Sequence, residues 1–297
     1  MIDQKIIENS RQSFSKINLY LEIKKKLDNG YHEIDSLSVF TDIHDILTFG
    51  LSNDINLTIK GKERDKLGPP DKNIIIKALK LIQEKLKINL GVAVTLNKKV
   101  PVAAGLGGGS SNAAVAIQEC LKLWHSKEKV KINSREIAYK LGADIPFFLQ
   151  GTSAIVGGIG EKVYPVNFIP DLYSLIVNPK IYISTNNIYS SFRGPFLEDS
   201  ETFSYSEQTS PQDLIAYLKR RKNSLTDIVL EKEPIVGDIL DTLAQTQGAD
   251  LVRMSGSGPS CFAIYSNRRD MDIAYKLIKN KKPNWWIKKS KIRLKVS

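Results

Sequence analysis

Gly105, Gly107, Gly108 and Gly109 fall within five residues in the stretch PVAAGLGGGSSNAA, residues 101–114. A run with so little side chain lets backbone amides come close to something bulky, because no Cβ stands in the way and positive φ costs nothing. The flanks show what the run joins. Upstream, Val92, Val94 and Leu96 alternate with smaller or polar residues, the mark of a strand with one buried face. Downstream, Ala113, Ala116, Ile117, Cys120, Leu121 and Trp124 recur at three and four residues, the stripe of an amphipathic helix for which Ser110 or Ser111 is a natural N-cap. A flexible linker rarely runs straight into an apolar stripe. A glycine turn aimed at a helix N-terminus offers free N–H groups and the positive end of the helix dipole, which together favour an anion, phosphate first.

Three familiar phosphate loops do not fit. The P-loop pattern G-x-x-x-x-G-K-[ST] requires lysine after its last glycine, where Ser110 stands. The dinucleotide fingerprint G-x-G-x-x-G, begun at Gly105, requires glycine at position 110 and an acid at the end of a second strand. The protein-kinase set requires H-R-D and D-F-G triplets, and neither occurs.

Other polar residues sit where elements would aim them. In SFSKINLYLEI, residues 13–23, Ile17, Leu19, Leu21 and Ile23 form one face of a strand, and Lys16, Asn18, Tyr20 and Glu22 form the other, non-core face. Asp28, Asn29 and Gly30 then make a turn that presents Tyr31 and His32 at a loop tip or strand start, where a lone histidine reads as a surface residue. Residues 72–85 are helical in pattern. SREIAYKLGADIPFFL reads as a helix capped by Gly142, followed by Asp144 among apolar neighbours, with Pro146 preventing helix continuation. Such an acid is either a turn former or a group held in a low-dielectric site for chemistry. A second glycine signal follows in PIVGDILDTLAQTQGADLVRMSGSGPSCFAIY: a helix ending near Gly248, a strand, a tight turn from Ser255 to Pro259, and an apolar strand. Two glycine loops suggest two walls of one cleft. The stretch EDSETFSYSEQTSPQD between the halves reads as a polar surface excursion.

Composition frames these motifs. With 297 residues, 42% hydrophobic and 25% charged, the chain is long enough for a large core and two domains. No apolar run approaches the roughly eighteen residues of a membrane span, and MIDQKIIENSRQ has no signal-peptide core, so a cytoplasmic location without membrane partners is expected. Cys120 and Cys261 read as buried small hydrophobes in a reducing compartment, and no cysteine or histidine cluster has metal-ligand spacing. The net charge of +11, from 43 basic and 32 acidic residues, invites a nucleic-acid reading. The basic residues nevertheless fall in short runs, Lys24 to Lys26 and Lys219 to Lys222, and in the alternating tail NKKPNWWIKKSKIRLKV. Solvated faces explain such runs, and a positive field also suits an enzyme that handles nucleotides, so no nucleic-acid partner is expected.

The blocks SFSKINLYL, PVAAGLGGGSSNAA and RMSGSGPSCFAIY, in this order and at these separations, resemble the GHMP kinases, small-molecule kinases of galactose, homoserine, mevalonate and related alcohols. The likeness spans nearly the whole chain. Within that superfamily, SKINLYL, NGYHEI, GLGGGSSNAA, LGADIPFF and SGSGPSCF are most similar to the branch whose acceptor is a 4-diphosphocytidyl alcohol of non-mevalonate isoprenoid synthesis. The resemblance implies an α+β, two-domain fold, residues 1–164 and 165–297, with the active site in the cleft between them. It implies ATP as co-substrate, Mg²⁺ on its phosphates, and phosphorylation of the acceptor's 2-hydroxyl. Carried over position by position, it assigns Lys16 and Asp144 to catalysis, Asp144 as general base and Lys16 as its electrostatic partner. The ATP phosphates fall to Pro101, Val102, Ala103, Ala104, Gly105, Leu106, Gly107, Gly108, Gly109, Ser110 and Ser111, with Asn73 and Lys98 also at the nucleotide. Asn18, Tyr31, His32, Thr185 and Tyr189 fall where relatives hold the cytidyl substrate. The chain departs from the pattern at Asn223-Ser224-Leu225-Thr226, where relatives often carry Asn-Asp-Leu-Glu.

Overall fold

The computed structural model describes residues 9–124, 133–197 and 203–296. The first residues of MIDQKIIENSRQ and the EDSET of the polar excursion lie outside them.

In chain order the elements are β1 (Asn9–Lys26), β2 (His32–Gly50), β3 (Ile55–Lys60), α1 (Ile74–Leu86), β4 (Val92–Asn97), α2 (Gly108–Leu123), α3 (Ser134–Lys140) and α4 (Ile145–Gln150). There follow β5 (Ala154–Gly158), β6 (Lys162–Pro165), β7 (Tyr173–Asn178), α5 (Thr185–Ser191), α6 (Pro211–Lys219), α7 (Thr226–Lys232) and α8 (Ile235–Ala244). The last are β8 (Leu251–Met254), β9 (Cys261–Tyr265), α9 (Arg268–Lys281) and β10 (Trp286–Arg293). The fold is mixed α+β.

One long hairpin organises the sheet. β1 and β2 pair antiparallel from Asn9 opposite Phe49 to Lys26 opposite His32, across a turn in which Gly30 takes φ +83°. The other edge of β2 is shared by three strands in succession: β5 along 34–38, β10 at 40–41 and β4 along 46–50. β10 also pairs with β7, so it carries the sheet from the first half of the chain into the second, where the order continues β7, β9, β8. The expected strand at 92–97 is present with Val92, Val94 and Leu96 buried, and α1 buries Ile75, Ile76, Leu79 and Ile82 behind an Asn73 N-cap.

Local expectations shift in five places. α2 starts earlier than a serine cap would allow, because Gly107 in the left-handed region is its N-cap and no side chain caps it. Pro146 does not end a helix but sits in the first turn of α4, where its missing N–H costs nothing. α8 ends at Ala244, with Gly248 in the turn beyond it at φ +76°. Residues 13–23 of β1 have no solvated face: Lys16, Asn18, Tyr20 and Glu22 are as buried as Ile17 and Leu19. Irregularities at 14–16, 18–20 and 23–25 break its alternation, the glycine loop covers Lys16 through a Lys16 N–H to Leu106 carbonyl bond, and the Arg221 guanidinium lies 4.1 Å from the Tyr20 ring centroid. Arg221 was expected on a solvated run. It is buried, because its charge is matched by Glu22 at 2.8 Å and Asp35 at 2.5 Å.

Candidate active site

The two glycine turns meet directly. The Ser255 hydroxyl donates to the Gly105 carbonyl at 2.9 Å, and the Ser260 N–H donates to the Ala104 carbonyl at 3.3 Å. A Cβ on Gly105, which has φ +70°, would fall on the Ser255 carbonyl oxygen. Gly107, at φ +66°, is equally constrained: its Cβ would stand 2.6 Å from the Phe148 ring and 3.2 Å from Lys16 Cγ. These two glycines therefore serve the protein's own packing. Gly109 differs, since a Cβ there would find nothing nearer than Ile74 Cγ2 at 3.8 Å, and its surroundings are open.

A cavity of about 800 Å³ opens at this junction. Residues 101–110 line it without a break, joined by Asn73, Lys98, Gly256 and Ser257. The N–H groups of Gly108, Gly109 and Ser110 open α2 and have no intrahelical acceptor, so an anion in the cavity meets free donors and the positive end of a sixteen-residue helix. Ser111 is different. Its hydroxyl accepts from Ser13 and donates to the Phe14 carbonyl, both at 2.7 Å, so its side chain faces the core.

Lys16 projects from β1 into the same cavity with its side chain only 4% exposed. Its ammonium donates to Asn18 Oδ1 at 2.6 Å and lies 3.5 Å from Asp144 Oδ2. Asn18 is held in turn, its amide donating to the Ser36 and Ser38 hydroxyls at 2.8 and 3.1 Å. Asp144 occupies the N-cap position of α4 yet makes no capping hydrogen bond. Its carboxylate is thus not consumed as a turn former, and at 44% exposure it is not in a low-dielectric site either. A solvated carboxylate thus stands beside a buried ammonium, both facing the same cavity.

The far part of the cavity is aromatic. His32, expected at the surface, is 5% exposed, with its ring 5.7 Å from that of Tyr189 and 5.9 Å from that of Phe192. Its Nε2 is buried without a hydrogen-bond partner among the described residues. Burial, reinforced by the charges of Lys26 and Arg193, lowers its pKa, so the ring is neutral at pH 7. Tyr189 is half-buried, its phenol raised by burial and by the nearby Asp144 carboxylate. Tyr31 is exposed at the rim and meets Tyr139 edge to face at 5.2 Å. The Thr185 and Ser257 hydroxyls share a hydrogen bond of 2.9 Å, which ties α5 to the second glycine turn.

The cavity also contains residues that sequence reasoning passed over, among them Asn112 and Tyr139. Asp45 lies behind it, fully buried and bonded to Lys98 Nζ. A signal for Asp45 existed: it shares strand parity with Ile43 and Leu47, and an acid in the inward register of a strand is unusual. Asn223, the first residue of the divergent motif, is structural. Its amide donates to the Met254 and Gly256 carbonyls at 2.8 Å each, bracing the second glycine turn, while Ser224 and Thr226 line a separate, smaller cavity.

The GHMP kinase N-terminal domain family matches residues 73–152, and the GHMP kinase C-terminal family matches residues 207–283. A 4-diphosphocytidyl-2-C-methyl-D-erythritol kinase of Paramagnetospirillum magneticum is 35% identical over 92% of this chain and 94% of its own length. The chain belongs to the GHMP kinase family. The GHMP kinases include a solved 4-(cytidine 5'-diphospho)-2C-methyl-D-erythritol kinase that superposes with a TM-score of 0.73 at 25% identity, over 96% of this chain and 99% of that one. A homoserine kinase of Cytophaga hutchinsonii superposes with a TM-score of 0.65 at 17% identity, over 97% and 96%, and shares the fold. Membership confirms the two-domain α+β reading and makes the chain an ATP-dependent kinase. No helix among the described residues is long and apolar enough to cross a membrane.

Proposed function

We propose that this kinase transfers the γ-phosphoryl of ATP to the 2-hydroxyl of 4-diphosphocytidyl-2-C-methyl-D-erythritol, a step of non-mevalonate isoprenoid precursor synthesis. The relatives at 33–35% identity support the acceptor by their names. The observation that carries the reading in this chain is the buried, unpartnered Nε2 of His32 beside the Tyr189 ring, with Tyr31 at the rim. A pyrimidine has a face to stack on such rings and a polar edge complementary to the unpartnered nitrogen. Homoserine, mevalonate and galactose carry no planar base.

In this reading the first domain, residues 1–164, supplies the phosphate loop, Lys16, Asp144, Tyr31 and His32, and the second, residues 165–297, supplies Thr185, Tyr189 and the second glycine turn. ATP lies with its phosphates at residues 101–110, against the free amides of α2, and with Asn73 and Lys98 beside it. Asp144 accepts the proton of the acceptor hydroxyl as that oxygen forms its bond to the γ-phosphorus and the bond to the ADP oxygen breaks. Lys16 offsets the charge that gathers on the transferred group. Among the described residues, Asp144 is the one carboxylate lining the cavity, and no cluster of three metal-binding side chains occurs. Those residues fit Mg²⁺ carried mainly by phosphates and water, with Asp144 and Ser110 the oxygens on offer, and the ion supplies neutralisation of phosphate charge.

Replacing Tyr31 or Tyr189 by alanine tests the acceptor pocket. Loss of a stacked ring raises the KM for the cytidyl acceptor by about 10- to 100-fold and leaves the KM for ATP within about twofold. An unchanged acceptor KM in both variants contradicts the cytidyl reading.

A further inference from the structure

Asp45 projects from β2 between Ile43 and Leu47 into the protein and is fully enclosed. Four donors converge on its two oxygens. Oδ2 accepts from Lys98 Nζ at 2.5 Å and from the Asn112 amide at 3.0 Å, and Oδ1 accepts from the backbone N–H groups of Lys99 at 2.6 Å and Val100 at 2.8 Å. Burying an ion pair is a poor way to gain stability, since apolar side chains of similar volume usually serve as well. What the pair provides is position. Lys98 lines the cavity, and its ammonium lies under the start of α2, where a Cβ on Gly108 would be 3.0 Å from Nζ. A cation at a helix N-terminus opposes the dipole, and the Asp45 carboxylate offsets that cost. The Lys99 and Val100 amides are the last before Pro101, so the same carboxylate sets how the chain leaves β4 and enters the glycine loop.

We propose that Asp45 is a positioning residue for the nucleotide, fixing through one buried carboxylate both the Lys98 ammonium and the entry of the glycine loop. The proposal rests on the reading of Lys98 as a nucleotide contact.

The test is a double-mutant cycle of Asp45→Asn and Lys98→Gln, with ATP binding measured by calorimetry in the absence of acceptor and acceptor KM measured separately. Asparagine keeps an oxygen for the two amides and removes the charge that holds Lys98. Each single variant weakens ATP binding about tenfold, the double variant is within about twofold of Lys98→Gln alone, and acceptor KM stays within about twofold throughout. A general loss of folding would instead lower activity without splitting ATP from acceptor. Normal ATP affinity in Lys98→Gln removes the underlying reading of Lys98 and this proposal with it. If Lys98→Gln is impaired, unchanged affinity in Asp45→Asn, or a double variant showing the product of the single effects, overturns the role of Asp45 alone. Should Asp45→Asn fail to fold, the double variant against Lys98→Gln still decides: near-equal affinities support the proposal, and a further tenfold loss overturns it.

Discussion

Asp144 stands at a helix N-cap without capping it, and the buried Lys16 ammonium lies 3.5 Å from its Oδ2. Asp144→Asn preserves that shape and removes the proposed proton acceptor, so kcat falls by about 10²- to 10⁴-fold while ATP affinity changes little. Rapid-quench turnover near the wild-type rate contradicts the general-base role. His32 yields a second expectation through its lowered pKa, which lies below the ordinary 6.5. Below that pH the unfolded chain takes up a proton that the folded chain refuses. The stabilisation from this ring is therefore complete above about 6.5 and is lost as pH falls through the lower folded value. His32→Gln flattens the decline in melting temperature between about pH 7 and about pH 5, and identical slopes in both proteins contradict the assignment. At this scale the sequence marked residue types well and environments poorly. Lys16 and Asn18 were legible as a pair on one strand, but that their face is buried depends on a loop ninety residues away, which no local pattern records.

The strand, glycine loop and helix at 92–123 were legible because period two changes to period 3.6 across a run of glycines. What each glycine does was not legible, since that is set by neighbours distant in sequence. Gly105 is pressed on the Ser255 carbonyl and Gly107 on Phe148, whereas Gly109 faces open space. The consequence is a split within one motif. Gly105→Ala adds a methyl group against rigid backbone at positive φ, and destabilises the fold by about 2 kcal/mol or more. Gly109→Ala leaves the melting temperature equal or higher, as expected for alanine in a helix, yet raises the KM for ATP about tenfold by narrowing the phosphate space. Thermal melts and ATP titrations of the two variants separate these outcomes. A Gly109→Ala enzyme with normal ATP affinity contradicts the phosphate cradle.

Across the whole molecule, the two glycine turns were expected to wall one cleft, and they do so by touching. The contact itself was invisible in the sequence, as was the buried Arg221, whose place in a basic run gave no hint of Glu22 and Asp35 across the fold. The divergent Asn223 motif shows the same limit: its asparagine braces the second turn from outside the cavity. These distant contacts unite the glycine loop of the first half with the Thr185, Tyr189 and Ser257 surface of the second, and the central claim is that the united cavity selects a cytidyl-bearing alcohol. Coupled ADP release by the purified enzyme, with ATP and Mg²⁺, across 4-diphosphocytidyl-2-C-methyl-D-erythritol, mevalonate, homoserine and galactose tests it directly. The account predicts turnover with the cytidyl acceptor and at least about 10³-fold lower kcat/KM with the three alcohols that lack a base. Faster turnover with any of those three would contradict it.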